Sequence, residues 1–322
     1  MILSAGYGTR LWPLTEDRTK PALPILGKPL VGYVAEYLSE FGCTEILVNL
    51  HHQPESVRRA LGDGSSFGVS LTYIEEPVIL GTSGALDNAR SLLDGDTFIV
   101  VNGKIITDID LNAALETHRQ TKALATMVLL PNVARERFSV VEVEDGAVQK
   151  FGGMPQALAT AGPAPLMFTG IHIFEPRIFD YIPRGIFSDS VTDVYPQAIA
   201  KGERISAHVA QGKWYELSTI QRYLDISLKL LAEQNQTWFA GARSNIGSGA
   251  KVESSLLWDD VTVAAGATVK RSILADGVRI TAGEVLENAA VVRASLIQGS
   301  PPPAKALQGE LRGENFVVPL TQ

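Results

Sequence analysis

The chain has 322 residues, of which 45% are hydrophobic, and its formal net charge is −7. This length is enough for a large buried core and favours two domains. The acidic balance, without any cluster of Lys and Arg, argues against nucleic acid or an anionic membrane as a partner. Cys43 is the single cysteine, which excludes an internal disulfide. No apolar run reaches the ~20 residues of a membrane span and no signal peptide is evident, so we expect a cytoplasmic protein.

The first predicted elements are a very short strand at residues 1–3 and a loop with two glycines. Gly6 and Gly8 let backbone N–H groups approach an anion closely, and Arg10 adds a planar charged donor. Lys20 follows in a proline-containing loop that is stiff enough to hold a second positive charge in place. These features predict a cradle for a polyphosphate. Its predicted residues are Ala5, Gly6, Gly8, Thr9, Arg10 and Lys20.

Apolar runs alternate with amphipathic stretches up to about residue 236, after a first strand whose shortness suggests a truncated or misassigned N-terminus. The alternation predicts an α/β, Rossmann-like domain at 1–236, with a mixed, mostly parallel sheet, helices on both faces and ligands at the carboxyl ends of strands. The predicted strands are 46–50, 69–74, 98–101, 125–130, 139–143 and 167–174. The predicted helices are 31–41, 54–61, 84–93, 111–121 with Asp110 as N-cap, and 220–234.

The sequence pattern changes after residue 236, where aliphatic residues and one glycine recur every 17 positions. The recurring sets are Ile246, Val263 and Ile280; Val252, Val269 and Leu286; Leu257, Leu274 and Val291; and Gly249, Gly266 and Gly283. Such a period predicts about three rungs of a short parallel β-helix at 237–299, with irregular β-hairpins as the alternative. The rungs resemble the left-handed β-helix of hexapeptide-repeat proteins. Residues 300–322, which open on three prolines, are predicted to form an extended tail.

Two long patterns at the start of the chain carry a family resemblance. The patterns G-x-G-T-R-L-x-P-L-T from Gly6 and K-P-x-x-P-x-x-G-K-P-L from Lys20 resemble those of the sugar-1-phosphate nucleotidyltransferases. The segment L-G-T-S-G-A-L at 80–86 resembles the family's L-G-T-A-G-A-L, whose backbone contacts the base. The bacterial mannose-1-phosphate guanylyltransferase and glucose-1-phosphate nucleotidyltransferase types are the most similar. The resemblance implies a nucleotidyltransferase (GT-A-like) fold.

The resemblance also implies a reaction and its ligands. A sugar-1-phosphate oxygen attacks the α-phosphorus of a nucleoside triphosphate and pyrophosphate leaves, with Mg²⁺ held by two aspartates. Arg10 and Lys20 then have catalytic roles. Gly81, Thr82 and Asn102 join the cradle residues Ala5, Gly6, Gly8, Thr9 and Arg10 in binding the nucleotide.

The family's metal ligands are altered in this sequence. Lys104 stands where the motif V-x-N-G-D supplies the first aspartate, and an ammonium group cannot ligate a cation. Glu216 stands at the second aspartate of W-x-D-x-G-T and retains a carboxylate. Asp108 and Asp110 are near enough to be candidate replacements. The resemblance therefore implies Mg²⁺, whereas residue 104 argues against the family's ligand set.

The family's sugar site is altered as well. Ser139 replaces the glycine of F-G-V-V, and residues 153–155 (Gly-Met-Pro) align with the family's E-K-P, whose lysine meets the sugar phosphate. Thr169 and Gly170 preserve the strand of the sugar pocket. The residues predicted to bind the sugar are Ser139, Thr169 and Gly170.

Two functional hypotheses follow. The first is a sugar-1-phosphate nucleotidyltransferase, weakened by the altered metal and sugar positions. The second is a non-catalytic homologue that binds a nucleotide or nucleotide sugar as a regulatory or scaffolding subunit. Hexapeptide β-helices that act as acyltransferases use a histidine as general base. The last histidine of this chain is His208, so the repeats contain none. We therefore expect the β-helix to be an oligomerisation or packing surface, for a second copy or a different partner.

Overall fold

A computed structural model of the chain describes residues 1–152, 162–297, 299 and 301–320. The chain divides into two compact units, each built from segments that are distant in sequence. The first unit comprises Met1–Ala5, Val34–His51 and Gly62–Trp214. The second unit comprises Gly6–Tyr33, His52–Leu61 and Tyr215–Gln322.

The α-helices of the described residues are α1 (Leu30–Glu40), α2 (Pro54–Leu61), α3 (Gly81–Asn88), α4 (Arg90–Leu93), α5 (Leu111–Thr121), α6 (Tyr195–Ala200), α7 (Ile220–Glu233) and α8 (Ala294–Ile297). The strands up to residue 216 are β1 (Ile2–Leu3), β2 (Pro24–Ile25), β3 (Lys28–Pro29), β4 (Glu45–Leu50), β5 (Ser70–Glu75), β6 (Phe98–Asn102), β7 (Ile105–Thr107), β8 (Ala125–Pro131), β9 (Val141–Glu144), β10 (Ala147–Phe151), β11 (Leu166–Phe174), β12 (Ile205–Val209) and β13 (Trp214–Glu216). The later strands are β14 (Phe239–Ala240), β15 (Asn245–Ile246), β16 (Lys251–Glu253), β17 (Leu256–Leu257), β18 (Thr262–Val263), β19 (Thr268–Lys270), β20 (Ile273–Leu274), β21 (Arg279–Ile280), β22 (Val285–Glu287), β23 (Ala289–Arg293), β24 (Glu310–Arg312) and β25 (Asn315–Pro319).

The first unit is organised by a nine-stranded sheet in the order β5-β4-β1-β6-β11-β8-β12-β10-β9. Strands β11 and β10 run antiparallel to their neighbours, and the other strands share one direction. This confirms the predicted mixed, mostly parallel sheet. The carboxyl ends of β1, β4 and β6 therefore meet at one edge, where α/β proteins bind ligands.

Most predicted elements of this unit have counterparts in the structure. The Asp110 carboxylate accepts hydrogen bonds from the N–H groups of Asn112 (2.9 Å) and Ala113 (3.3 Å), which confirms the N-cap of α5. The helix predicted at 84–93 is wrong in both its start and its continuity. It begins at Gly81 and breaks at Ala89 into α3 and α4. The predicted helix began three residues after Gly81, whereas the structure includes Gly81 in the first turn.

The second unit contains the predicted repeat. Parallel pairs connect residues 17 apart, as in Leu256 with Ile273 and Ile273 with Ala290. The aliphatic side chains of Val263, Val269 and Leu274 are fully buried in its core. The 17-residue period and the parallel β-helix are therefore confirmed. Its left-handed sense and the predicted boundary at residue 236 stay predictions.

The predicted extended tail is wrong for residues 310–319. Strands β24 and β25 form an antiparallel hairpin, and β25 pairs with β23 at the end of the β-helix. The physical reason is the apolar run Phe316, Val317 and Val318, whose side chains are buried there. In the part of the chain that the structure describes, no helix is both long and apolar enough to cross a membrane.

Candidate nucleotide site

The residues of the predicted phosphate cradle from Gly6 onward lie within the second unit. Gly8 has φ +66°, in the left-handed region, and begins the 3₁₀ turn Thr9–Leu11. A Cβ on Gly8 would lie 3.0 Å from Lys20 Cβ and 3.3 Å from Lys20 N. Glycine is therefore needed both for its backbone conformation and for the close approach of Lys20. The structure thus brings together the two parts of the cradle that the sequence separates by twelve positions.

The positive side chain of the cradle is available to a ligand. Arg10 is exposed, and it makes no side-chain hydrogen bond or ion pair with any residue that the structure describes. Gly6 is also exposed, and nothing lies within 4 Å of the position of a Cβ there. An unpaired guanidinium beside open backbone suits an anion with several oxygens.

Three hydrogen bonds hold the loop that carries the cradle. The Thr19 N–H donates to Ser56 Oγ at 3.1 Å, and the Gln53 amide donates to the Glu16 carbonyl at 2.6 Å. The Trp12 indole N–H donates to the Glu16 carboxylate at 2.6 Å. Helix α2 begins at Pro54, so Gln53 and Ser56 place its first turn against the loop. The cradle is therefore held by buried side chains while its ligand-facing residues stay exposed.

The first unit contains a second polar site, at the carboxyl ends of β1, β4 and β5. The Ser4 N–H donates to Asn49 Oδ1 at 2.7 Å, and Asn49 Nδ2 donates to Glu76 Oε1 at 2.6 Å. The other carboxylate oxygen of Glu76 accepts from the Leu80 N–H at 3.0 Å. Asn49 and Glu76 are both buried. This network ties the start of the glycine loop to the L-G-T-S-G segment.

The sequence analysis missed Asn49 and Glu76. Their signal was positional, because each lies at or just after the end of a predicted buried strand. A polar residue at the carboxyl end of a parallel strand belongs to the ligand edge of the sheet. Both residues act on backbone groups, so we assign them to positioning.

The L-G-T-S-G segment is anchored to the loop at 186–190. Gly81 has φ +77°, and a Cβ there would lie 2.5 Å from the Ser188 carbonyl oxygen. The Thr82 hydroxyl donates to Asp189 at 3.0 Å and accepts from the Ser190 N–H at 2.8 Å. The Thr82 side chain is thus committed within the protein. Its predicted contact with a nucleotide stays a prediction that only the backbone of this segment could fulfil.

Asn102 and Gly170 meet in the first unit. Gly170 has φ +86° and lies in an irregularity of β11 between Phe168 and His172. A Cβ on Gly170 would lie 2.4 Å from Asn102 Nδ2, so only glycine leaves room for the Asn102 side chain. Bulges of this kind frequently redirect side chains next to functional sites. The nucleotide and sugar positions predicted at Asn102 and Gly170 are therefore adjacent.

The other predicted sugar residues are less suited to direct contact. Thr169 is buried, and its hydroxyl donates to the Val128 carbonyl at 2.7 Å. Ser139 is exposed and precedes β9, which begins at Val141, two residues later than predicted. The E-K-P position at 153–155 lies outside the described residues. These sugar assignments stay predictions.

The described residues do not fit the family's Mg²⁺ site. They contain no group of three or more His, Cys, Asp or Glu residues placed to hold a metal ion. Asp108 accepts from the Lys213 N–H at 2.6 Å, and Asp110 caps α5, so neither candidate replacement is a ready ligand. Lys104 follows Asn102 and Gly103 directly, at the end of β6. Glu216 offers a carboxylate in the second unit, at the end of β13.

The glycine cradle, the sheet and the repeat define a class of protein. Residues 1–233 match the family described as Nucleotidyl transferase, and residues 240–300 match the family described as GlmU-like, C-terminal hexapeptide. The chain therefore belongs to the nucleotidyl transferase family, as its motifs predicted.

Individual relatives agree with this assignment. The chain is 30% identical to the UTP--glucose-1-phosphate uridylyltransferase of Synechocystis sp., over 82% of this chain and 71% of that protein. It is 34% identical to the N-acetylmuramate alpha-1-phosphate uridylyltransferase of Neisseria meningitidis serogroup B, over 69% of this chain and 94% of that protein. A crystal structure of a Bacillus anthracis protein in complex with a sucrose has the same fold, with a TM-score of 0.61 and 24% identity over 71% of this chain and 93% of that one.

Proposed function

We propose that the chain transfers a nucleotidyl group from a nucleoside triphosphate to a sugar 1-phosphate and releases pyrophosphate. The observation that supports this proposal most strongly is the cradle, in which Gly8 in a left-handed conformation packs against Lys20 while Arg10 stays exposed and has no partner among the residues that the structure describes. The family and its relatives support this activity, since the two relatives named above are uridylyltransferases for sugar 1-phosphates.

The chemistry requires positioning and charge neutralisation. An oxygen of the sugar phosphate forms a bond to the α-phosphorus, and the bond from that phosphorus to the β-phosphate oxygen breaks. The reactants bring about six negative charges together, so the barrier is dominated by electrostatic repulsion. In this proposal the backbone N–H groups at 6–8, Arg10 and Lys20 bind the phosphates of the leaving pyrophosphate. The protein needs no nucleophile of its own for this displacement.

Sugar nucleotidyltransferases typically use a divalent metal. The residues of this chain differ from the family's Mg²⁺ ligands. Lys104 removes one family ligand, and Asp108 and Asp110 are engaged elsewhere. We therefore assign charge neutralisation to the side chains present. The base, the sugar, the cytoplasmic location and an assembly through the β-helix stay predictions.

The proposal is tested by pyrophosphate release from panels of nucleoside triphosphates and hexose 1-phosphates, with Arg10→Ala as the critical variant. We expect Arg10→Ala to lower kcat/KM by about 10²–10³, because it removes a charge that stabilises the developing pyrophosphate. Arg59→Ala is the matched control, since Arg59 is an exposed arginine of α2 in the same unit. Its kcat/KM should stay within about twofold of wild type.

Two results would contradict the proposal. Equal losses in the Arg10 and Arg59 variants would remove Arg10 from the reaction. Nucleotide binding without pyrophosphate release from any pair, with or without Mg²⁺ or Mn²⁺, would favour the non-catalytic homologue. Adding EDTA to the same assay measures how far turnover depends on a divalent cation.

A further inference from the structure

The segment that carries Lys20 has little regular structure of its own. Between the 3₁₀ turns Thr9–Leu11 and Lys20–Ala22 the chain forms turns and bends only. Gly8 packs on Lys20 at the distances given above, so a displacement of this segment would open the cradle directly. The contacts that fix residues 12–24 therefore decide how well the cradle is preorganised.

One such contact reaches the β-helix. The Arg18 guanidinium donates to Asp276 Oδ2 at 2.6 Å, and its Cζ lies 5.0 Å from the centre of the Trp258 ring. Arg18 and Asp276 are 258 positions apart in sequence and belong to the same unit. Their side chains are only 22% and 33% exposed. We call Arg18, Trp258 and Asp276 the arginine clamp.

The β-helix side of the clamp is itself rigid. Asp276 Oδ1 accepts from the Asp259 N–H at 3.1 Å, which links two consecutive rungs. Trp258 is buried, and its indole N–H donates to the Tyr223 hydroxyl at 2.9 Å. The Tyr223 hydroxyl in turn donates to the Pro24 carbonyl. Burial raises the pKa of Tyr223, so this phenol stays protonated as a donor.

The clamp therefore holds the Lys20 segment before the lysine through Arg18, and Tyr223 of α7 connects Trp258 to the segment after the lysine. Arg18 lies two residues before Lys20, and Pro24 lies four residues after it. A further contact lies at the start of the segment, where the Trp12 ring packs edge-on against Phe316 of β25 with ring centres 5.4 Å apart. The residues that the β-helix fixes are thus the ones that flank the cradle.

We propose that the arginine clamp is a positioning device, through which the β-helix holds the Lys20 side of the phosphate cradle in its anion-binding geometry. This inference rests on the proposed function only in taking the cradle as a phosphate site. It gives the β-helix a role in substrate binding within a single chain, beyond the predicted packing or oligomerisation surface.

The test compares two conservative substitutions in the full chain. Asp276→Asn keeps the size of the side chain and removes the β-helix carboxylate that holds Arg18, while the second carboxylate on Arg18, that of its neighbour Asp17, stays in place. Asp260→Asn makes the same change at Arg243–Asp260, a pair with N–O distances of 2.6 and 2.7 Å whose two members both lie in the β-helix. That pair is 66% and 51% exposed and contacts no part of the cradle that the structure describes.

The probe is inorganic tripolyphosphate, which presents a phosphate chain without a base. We expect Asp276→Asn to raise its Kd about tenfold and Asp260→Asn to leave it within about twofold. In turnover assays the KM for the triphosphate should rise in Asp276→Asn while the KM for the sugar phosphate does not. Asp276→Glu, which restores the charge, should recover part of the affinity. A merely structural role would lower the folded fraction without changing the Kd of the folded protein.

The outcomes separate this proposal from the function above. Equal Kd values for wild type and Asp276→Asn, or equal increases in both variants, would overturn the clamp. A wild-type protein that binds no tripolyphosphate would overturn it too, because no phosphate cradle would exist to position. A wild type that binds tripolyphosphate but releases no pyrophosphate would fail the proposed function and leave the comparison of Kd values valid.

Discussion

The two units use glycine in different ways, and the difference shows how each encodes its geometry. In the first unit Gly81 and Gly170 are each pressed against one unique neighbour, the Ser188 carbonyl and the Asn102 side chain. In the second unit Gly249 and Gly266 have φ near +70° but nothing within 4 Å of a Cβ. Gly81 and Gly170 therefore need glycine for space, whereas Gly249 and Gly266 need it for backbone conformation alone.

The units also differ in the polar groups that they bury. Among the described residues the two buried histidines, His118 and His172, both lie in the first unit. The core of the β-helix is aliphatic, and its pairs Arg243–Asp260 and Arg271–Asp225 lie at the surface. Titration in the mildly acidic range should therefore affect the first unit more than the second.

The sharpest test of the first contrast is Gly81→Ala. An alanine would adopt a left-handed conformation, at about 1–2 kcal/mol, and would also collide with the Ser188 carbonyl 2.5 Å from its Cβ. We expect the free energy of unfolding to fall by about 3 kcal/mol or more, measured by urea denaturation.

Gly42→Ala is the matched control in the same unit. Gly42 has φ +80° and an open Cβ position, so it carries the conformational cost without the collision. Its loss should stay near about 1–2 kcal/mol. Equal losses at the two positions would show that the contact with Ser188 is unimportant.

The second contrast predicts a pH effect centred on His172. Full burial lowers the pKa of His172 to about 3, from 6.5 in the unfolded chain. Between these values the unfolded state binds a proton that the folded state does not, so stability falls as the pH drops below 6.5. From pH 7 to pH 5 this histidine should cost about 2 kcal/mol. His172→Gln should lose that much less stability than wild type over the same interval, by urea denaturation at each pH.

The histidine control is His208→Gln. His208 is half-buried on β12, and partial burial lowers its pKa as well. Its removal should flatten the pH dependence less than His172→Gln does. If neither variant changed the slope, the acid sensitivity would have to arise from other groups.

The sequence predicted the repeat because it is periodic, and it indicated the approach of the glycine loop to Lys20 because the motif is local. Each 17-residue set, such as Val263 with Ile280, repeats the same environment, so a single rung predicts the next. The cradle needs glycine and charge at short spacing, which a single segment displays. Asp110 as an N-cap is predictable for the same reason, since its partners are two and three residues away.

The features that the sequence did not predict depend on single contacts between residues that are distant in sequence. No periodic pattern indicates such contacts. From the sequence alone Arg18 resembles an ordinary surface arginine, and only the structure shows its hydrogen bond to Asp276. The sequence does not show that the Thr82 hydroxyl is hydrogen-bonded to Asp189 and Ser190. Nor does it show that Gly170 is needed because the Asn102 side chain lies against it. The C-terminal hairpin was missed because the prolines at 301–303 suggested an extended tail while the buried partner strand lies in the repeat.

The smallest predicted effect lies at the corners of the β-helix, with Gly266→Asn. Gly266 has φ +68°, and the other corners of the rungs hold Asp260 and Asn288 at φ +59° and +48°. Asparagine tolerates this conformation, and no atom lies near a Cβ at Gly266, so the loss should stay below about 1 kcal/mol by urea denaturation. Gly247→Ala is the contrasting variant, since its Cβ would lie 2.6 Å from Ala265 N in the next rung and should cost more. A Gly266→Asn loss as large as that of Gly247→Ala would mean that Gly266, like Gly81 and Gly170, is needed for space.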